Sequence, residues 1–249
     1  MKARDGRSAL ARLEQQGASR LLFPRRDHVE GIILNTAGGV TGGDRFQFRA
    51  EVQENAALTL TTQGAERLYK AQDGETGRIE SEVRIGPAGR LDWLPQETIL
   101  FHGANVSRRF TANLTSDARF LFVEPIIVGR SHMGETVTSA RFRDDVRLIR
   151  DGEVIFRDTT ALDGNIAALM DRPAIGGGAR AAALLLYAAR DAEAHLERLR
   201  ALCPATGGVS LLRGGLLAAR LLAADGFALR RSLIPMLRHF TDLPRCWSL

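Results

Sequence analysis

The sequence predicts a mainly β protein of the α+β class, with its helices gathered in the C-terminal part. Three observations carry this. Segments such as 45–52 and 79–85 alternate apolar and polar residues with the two-residue period of a half-buried strand. Turn signals recur between such segments, at Glu54-Asn55, Gly86-Pro87 and Asp151-Gly152. After Gly176-Gly177-Gly178 the composition shifts to Ala, Leu, Arg and Glu. About 160 residues of strand therefore precede the helical part instead of alternating with it.

Taken in order, residues 1–20 are polar and alternately charged, which predicts a loosely held lead-in to a strand ending at Phe23. Pro24 with Arg25, Arg26 and Asp27 makes a turn, and 29–34 forms a strand that delivers a glycine-rich stretch, 35–44, with two Gly-Gly pairs. Gly38, Gly39, Gly42 and Gly43 point to a tightly folded arch, because glycine alone takes positive φ and close backbone approach without strain. A phosphate-binding loop would need Lys and Ser/Thr after the last glycine and a helix beyond it. Asp44 follows instead, and then Phe46, Phe48, Ala50 and Val52 face one side of a strand, with Arg45, Gln47, Arg49 and Glu51 on the other.

Strands continue at 58–62 and, more weakly, 64–70, then at 79–85, where Ile79, Ser81, Val83 and Ile85 share a face. Pro95 ends a short strand at 91–94 because its ring removes a ladder donor. Gln96, Glu97 and Thr98 separate it from 99–101. Further strands are expected at 106–114, 118–128 and 136–150, and Asp151-Gly152 is a type I′ signal joining 146–150 to 153–157. In 179–202, Leu185, Ala188, Ala192, Leu196 and Leu199 fall at three- and four-residue spacings, which predicts an amphipathic helix with His195 at its boundary. Segments 211–224 and 227–240 read as two further helices, split by Asp225-Gly226, with Pro235 kinking or ending the second, and the last residues are extended. Strand spacing alone leaves a sandwich and a β-solenoid open.

Composition weighs against several function classes. The chain has 249 residues, 45% of them hydrophobic, and a net charge of +5. Of its 34 basic residues only Lys2 and Lys70 are lysine. The arginines lie among acids, as in Arg141, Arg143, Asp144, Asp145 and Arg147, and few aromatics accompany them, so the sequence argues against a nucleic-acid groove. Cys203 and Cys246 make neither a disulfide framework nor, with the scattered histidines, a zinc site. The longest apolar run, 181–189, falls short of the ~20 residues that cross a bilayer. No signal-peptide pattern opens the chain, and the expectation is a cytoplasmic protein away from membranes.

The stretch NTAGGVTGGD, with TTQGAERLYK (61–70), LDWLPQETILF (91–101), the GR…MGE segment (129–135) and LPRCWSL (243–249), resembles the UreD/UreH family of urease accessory proteins, in the order that family shows. The resemblance spans nearly the whole chain and implies a single UreD-like domain over 1–249. Its fold would be a β-helix-like, two-layered stack of strands, mainly β over 21–175, helix-rich over 176–249, with an extended C-terminal tail. It also implies a non-enzymatic scaffold that binds apo-urease and the partners UreF and UreG, leaves nucleotide hydrolysis to a partner GTPase, and gives nickel an internal route. No cofactor would be tightly bound, and Ni2+ would pass transiently.

On the residues themselves, no nucleophile–base constellation stands out. Asp44, Glu66, Asp92, Glu97, Glu124 and Glu135 lie beside apolar or glycine-rich segments, where a buried charge needs a partner or a metal. Carboxylates with an occasional imidazole suit divalent first-row metals. Glu124, between Phe120–Val123 and Pro125–Val128, points to an interior, although most such acids are expected to be arginine-paired. Carried over from the resemblance, Glu124, Glu135, Asp44 and His132 would form the nickel path. Asn35, Thr41, Gln63, Tyr69, Gln96, Glu97, Gly129 and Arg130 would serve partners or structure. Ser131-His132 and Pro125 depart from the family pattern and bear on the path around Glu124. The alternatives are a β-solenoid carbohydrate-active enzyme using clustered carboxylates, and a basic nucleic-acid-binding protein.

Overall fold

The computed structural model describes residues 1–4, 6–130 and 133–248. In chain order its strands are β1 (Lys2–Arg4), β2 (Arg7–Ala9), β3 (Ser19–Leu22), β4 (Glu30–Asn35), β5 (Arg45–Val52), β6 (Ala57–Thr62), β7 (Glu66–Leu68), β8 (Gly77–Ile85) and β9 (Arg90–Leu94). There follow β10 (Thr98–Leu100), β11 (Asn105–Leu114), β12 (Arg119–Val128), β13 (Ala140–Arg150), β14 (Glu153–Gly164), β15 (Ala181–Ala188), β16 (Gly207–Leu212) and β17 (Leu216–Ala223). The helices are α1 (Ile166–Asp171), α2 (Leu196–Leu202) and α3 (Gly226–Arg238).

From β4 to β13 the chain shuttles between two sheets. β4, β6, β9 and β12 lie side by side and parallel in the larger sheet, while β5, β8, β11 and β13 do the same in the smaller one. Each circuit adds one strand to each layer, so the stacking is β-solenoid-like and mainly β, as the resemblance implies. The short strands β7 and β10 pair in parallel with each other, and β10 pairs with β12. The Asp151-Gly152 turn, with φ of 49° and 87°, closes the β13–β14 hairpin as its sequence demands.

Inward-facing residues line up across the smaller sheet because the strands pair in register. One ladder runs Ala50, Val83, Ala112, Leu148, and the next runs Phe48, Ser81, Phe110, Val146. Facing them from the larger sheet are Leu58, Leu91 and Phe120, then Leu60, Trp93 and Phe122. A second apolar cluster between the sheets contains Val40, Leu68, Val106, Ile126, Val128 and Phe142. The ladder between the two, Phe46, Ile79, Arg108, Asp144, turns polar at its centre.

Several expectations for 176–249 are corrected. Residues 181–188 are strand β15, not part of a helix, and only the short α2 and the 3-10 turn Ala192–His195 are helical in 179–202. β15 lies between β12 and β17 with nearly every side chain buried. A strand covered on both faces loses its alternation, and an unbroken Ala/Leu run then mimics the apolar spacing of a helix. Likewise 211–224 is not helical: β16 and β17 form a hairpin whose turn has Gly214 and Gly215 at positive φ. The last of the three expected helices is present as α3, capped by the Asp225 carboxylate on Ala228 N, but it runs through Pro235 instead of ending there.

The N-terminal residues are also more firmly held than a loose lead-in. Met1 donates to the Glu51 carbonyl and accepts from Gln53 N, and Ser8 Oγ accepts from Ala57 N. These bonds run through backbone at strand ends, which side-chain patterns do not report. Cys203 and Cys246 are both free. Among the described residues no helix is long and apolar enough to cross a membrane.

Candidate functional site

The site begins with an interruption. Pro95 stops β9, and the chain resumes as β10 with Thr98 opposite Ile126. The circuit before it breaks in the same place, between Thr62 and Glu66, and Glu66 is the register partner of Thr98. Glu124 lies two residues beyond Phe122, the last β12 residue paired with β9. At that level, Arg108 and Asp144 face it from the smaller sheet.

Arg108 is buried and organises the cluster. Its Nε and Nη2 donate to Asp144 Oδ1 and Oδ2 at 2.9 and 2.7 Å, and its Nη1 donates to Thr98 Oγ1 at 2.9 Å. The guanidinium carbon lies 5.5 Å from the centre of the Phe142 ring. Nη2 is also 2.8 Å from Glu124 Oε2, yet that buried oxygen has no donor in hydrogen-bonding geometry among the described residues. The pair is therefore a charge contact without a formed hydrogen bond. The Trp93 indole N–H is likewise buried without a partner of good geometry and lies beside the same carboxyl group. Burial disfavours the Arg108 charge, but Asp144 and Glu124 outweigh it and hold the guanidinium protonated.

The acids outnumber the base. Burial pushes Glu124 up to about 8, against the pull of Arg108 and with the help of the neighbouring Asp144 charge. Burial also raises Glu66, which the Asn35 amide and Arg108 oppose. Asn35 Nδ2 donates to Glu66 Oε1 at 3.1 Å and to Gly39 O at 2.8 Å, tying the glycine arch to this layer. Two buried carboxyl groups, Glu124 and Asp144, thus share a single buried guanidinium, with the half-buried Glu66 within reach of its charge, and burial biases Glu124 and Glu66 toward holding a proton.

The other expected metal residues lie elsewhere. Asp44 Oδ2 accepts from Thr41 N at 2.9 Å and is taken up by its own turn, while Thr41 Oγ1 donates to Lys70 O at 2.8 Å. A Cβ on Gly39 would sit 2.4 Å from Tyr69 Cε2 and 2.5 Å from Arg67 O, so the arch packs directly on β7 and Tyr69. Glu135 anchors a surface loop: it accepts from Arg130 Nε at 2.9 Å, Arg130 N at 3.0 Å and His102 N at 3.2 Å. Burial works to raise its pKa, but these donors outweigh that and hold it low. Gly129, at φ 71°, starts this loop, and Arg130 lies over the Phe101 ring that Tyr69 also meets edge-on. His132 lies outside the described residues, as does Ser131. Gln63 is exposed and contributes its backbone N–H to Ile33 O.

On the opposite face of the larger sheet, Gln96 and Glu97 hold α3 and the C-terminal segment. Arg230 donates to Glu97 Oε1 and Oε2 at 2.8 and 3.1 Å, to Gln96 Oε1 at 2.6 Å and to the Cys246 carbonyl, and lies over the Trp247 ring. Trp247 Nε1 donates to Leu94 O at 2.9 Å. Asp92 pairs with Arg90 and accepts from Thr241. Two surface grooves, about 480 and 530 Å³, are lined by none of the candidate residues.

The interior partners missed by sequence reasoning are Arg108, Asp144 and Thr98. The first two carried a signal: each is in phase with the apolar face of its strand, Arg108 with Val106, Phe110 and Ala112, and Asp144 with Phe142, Val146 and Leu148. Among the described residues no three carboxylate, imidazole or thiol side chains converge as a ready-made metal cage. The polar layer can hold a proton on Glu124 and offers oxygen ligands to a small cation that displaces it.

Fold and interior together define a two-layered β-stack with an acid-rich polar layer between its sheets. The chain matches the UreD urease accessory protein family over residues 1–248 and belongs to that family. It is 48% identical over 246 residues to "Urease accessory protein UreD" of Ruegeria pomeroyi, covering 97% of this chain and 96% of that relative. It is also 48% identical over 248 residues to the protein of the same name from Roseobacter denitrificans (98% and 91%), and 46% identical over 254 residues to that of a Methylobacterium species (98% and 90%).

Proposed function

We propose that this chain is a non-enzymatic maturation factor for urease, a scaffold that joins apo-urease to the partners UreF and UreG and passes nickel, as cargo, through the polar layer between its sheets. The family supports the urease role. The observation that carries the conduit is the excess of acid between the sheets: the buried Glu124 and Asp144 share Arg108, and the half-buried Glu66 lies within reach of its charge. A core selected only for stability would replace such a layer with packed hydrocarbon at no loss. Glu124 holds a proton while the layer is empty, and an arriving divalent cation exchanges with it, so part of the incoming charge is offset as cargo moves. Arg108, fixed by Asp144 and Thr98, keeps the layer from binding the cation so tightly that it stays.

The test is urease activation in cells carrying the whole urease cluster, with this chain deleted, restored, or restored as Glu124→Ala, alongside pull-down of UreF, UreG and apo-urease. Activation should vanish on deletion. Glu124→Ala should keep its partners while urease nickel content falls. Full urease activity without the chain would refute the maturation role. Normal nickel content with Glu124→Ala would leave a scaffold and remove the conduit.

A further inference from the structure

The solvent face of the smaller sheet carries an arrangement that stability does not account for. The five strands β5, β8, β11, β13 and β14 present their outward side chains in register; Arg49 lies opposite Glu82 and Arg109 between Glu80 and Asp145, but two pairs of like charge also fall opposite one another. Arg45 pairs with Arg78, and Arg147 with Arg157. Like charges in direct cross-strand pairs are destabilising, so these two arginine pairs depart from the alternation of sign that the Glu80, Arg109 and Asp145 row keeps. Arg45, Arg49, Arg78, Arg109, Arg147 and Arg157 are all exposed, and none makes an ion pair with a described residue. Carboxylates are present to neutralise them, but Glu82 pairs with Arg84, Asp145 with Arg143 and Asp163 with Arg141, while Glu80 accepts from Gln47. Glu80, Asp145 and Glu82 offset Arg109 and Arg49 in part, but arginines outnumber acids on this face, and Arg45, Arg78, Arg147 and Arg157 face no acid across the register.

The face is also bare where such faces are normally covered. Parallel strands are usually buried on both sides, whereas here four parallel strands and one antiparallel neighbour turn an alternating row of exposed and half-buried side chains to solvent. With strands ~4.8 Å apart and ~3.3 Å per residue, the face measures roughly 600 Å², close to the ~800 Å² that each partner contributes to a standard interface.

We propose that this face is a docking surface for a folded protein partner presenting an acidic, mixed-charge patch. Charge complementarity chooses the occupant. Arginine forks suit carboxylates, which they engage with two parallel hydrogen bonds. The interspersed Glu80, Glu82 and Asp145 would repel a continuous polyphosphate but can meet basic residues on a protein. No aromatic side chain stands among the outward residues to stack a base. Electrostatic steering by the uncancelled arginines speeds encounter and makes it sensitive to salt.

The surface extends the maturation reading without depending on it, and the test separates the two. Immobilised full-length chain is titrated with purified apo-urease, with UreF and UreG, with a poly-glutamate peptide and with a single-stranded RNA of equal charge, at low and moderate salt. Wild type is compared with Arg45→Glu/Arg78→Glu, with the milder Arg45→Gln/Arg78→Gln, and with Arg172→Glu/Arg238→Glu placed elsewhere on the surface. Thermal unfolding confirms that each variant is folded. At least one protein partner should lose tenfold or more in affinity on reversal at positions 45 and 78, a smaller factor with glutamine, and little with the control. Its salt dependence should flatten in step. Unchanged binding of every partner to the reversed chain would overturn the proposal. Tighter, reversal-sensitive binding of RNA than of any protein would overturn it in favour of nucleic acid. If no protein binds even wild type, the maturation reading fails, and poly-glutamate decides the surface: a tenfold loss on reversal upholds it, no loss ends it.

Discussion

The larger sheet has an arginine cluster on each of its faces, one buried and one half-buried, and the two are built to different ends. Outside it, Arg230 meets one carboxylate, Glu97, and its remaining donors reach Gln96 and the Cys246 carbonyl, with only Nε lacking an acceptor. Between the sheets, Arg108 meets Asp144 and Glu124 with Glu66 close by, and among the described residues Glu124 Oε2 and Trp93 Nε1 make no hydrogen bond of good geometry. The first cluster is charge-balanced and welds the C-terminal segment to the sheet. The second is over-acidic and incompletely satisfied, the state expected where cargo or a proton must still be accepted.

The comparison can be broken at four points, from the largest effect down. Arg108→Met strands Asp144 and Glu124 as buried, unpaired carboxyls and should cost about 3–5 kcal/mol in urea unfolding. A loss below 1 kcal/mol would mean that the layer is already wet. Arg230→Met should cost about 2–3 kcal/mol, because it leaves only Glu97 uncompensated, and hydrogen exchange should speed up selectively in 243–248. A uniform increase across the chain would contradict a local weld.

Glu124→Gln should act in the opposite direction. Burial raises the Glu124 pKa to about 8 in the folded chain, so the folded state holds the proton more tightly than the unfolded state does. That stabilisation is complete below the unfolded pKa and is lost as pH rises through about 8. Between roughly pH 4.5 and 8 wild type should therefore shed stability that the glutamine variant keeps. At pH 8 the variant should be more stable by on the order of 2 kcal/mol, read from unfolding midpoints across that range. A variant less stable than wild type at pH 8 would place Glu124 with the structural carboxylates. Least of all, Asp44→Ala removes one turn hydrogen bond, for about 1 kcal/mol, and should leave nickel delivery untouched. Impaired delivery would return Asp44 to the path.

Much of this was legible in the sequence for one physical reason: a strand buried on one face alternates. Phe46, Phe48, Ala50 and Val52 marked β5, and Asp151-Gly152 fixed the β13–β14 hairpin. Where both faces are covered the alternation disappears, and Ala181–Ala188 then reads as helix. Of the site, Glu124 was legible from the apolar residues around it. Its partners were written as charges in phase with buried residues at 108 and 144, a pattern visible only when the strand's inward face is followed residue by residue. The Arg230 weld depended on a contact across more than a hundred residues, which no local pattern encodes.

The contrast between the two clusters is tested most directly by the nickel content of urease matured by the Glu124→Gln chain and by the Glu97→Gln chain, each measured at a temperature where the variant is folded and holds its partners. The interior cluster should prove to be the path: Glu124→Gln should lower nickel loading tenfold or more, and Glu97→Gln should leave it near wild type. Equal loading by both variants would contradict the conduit.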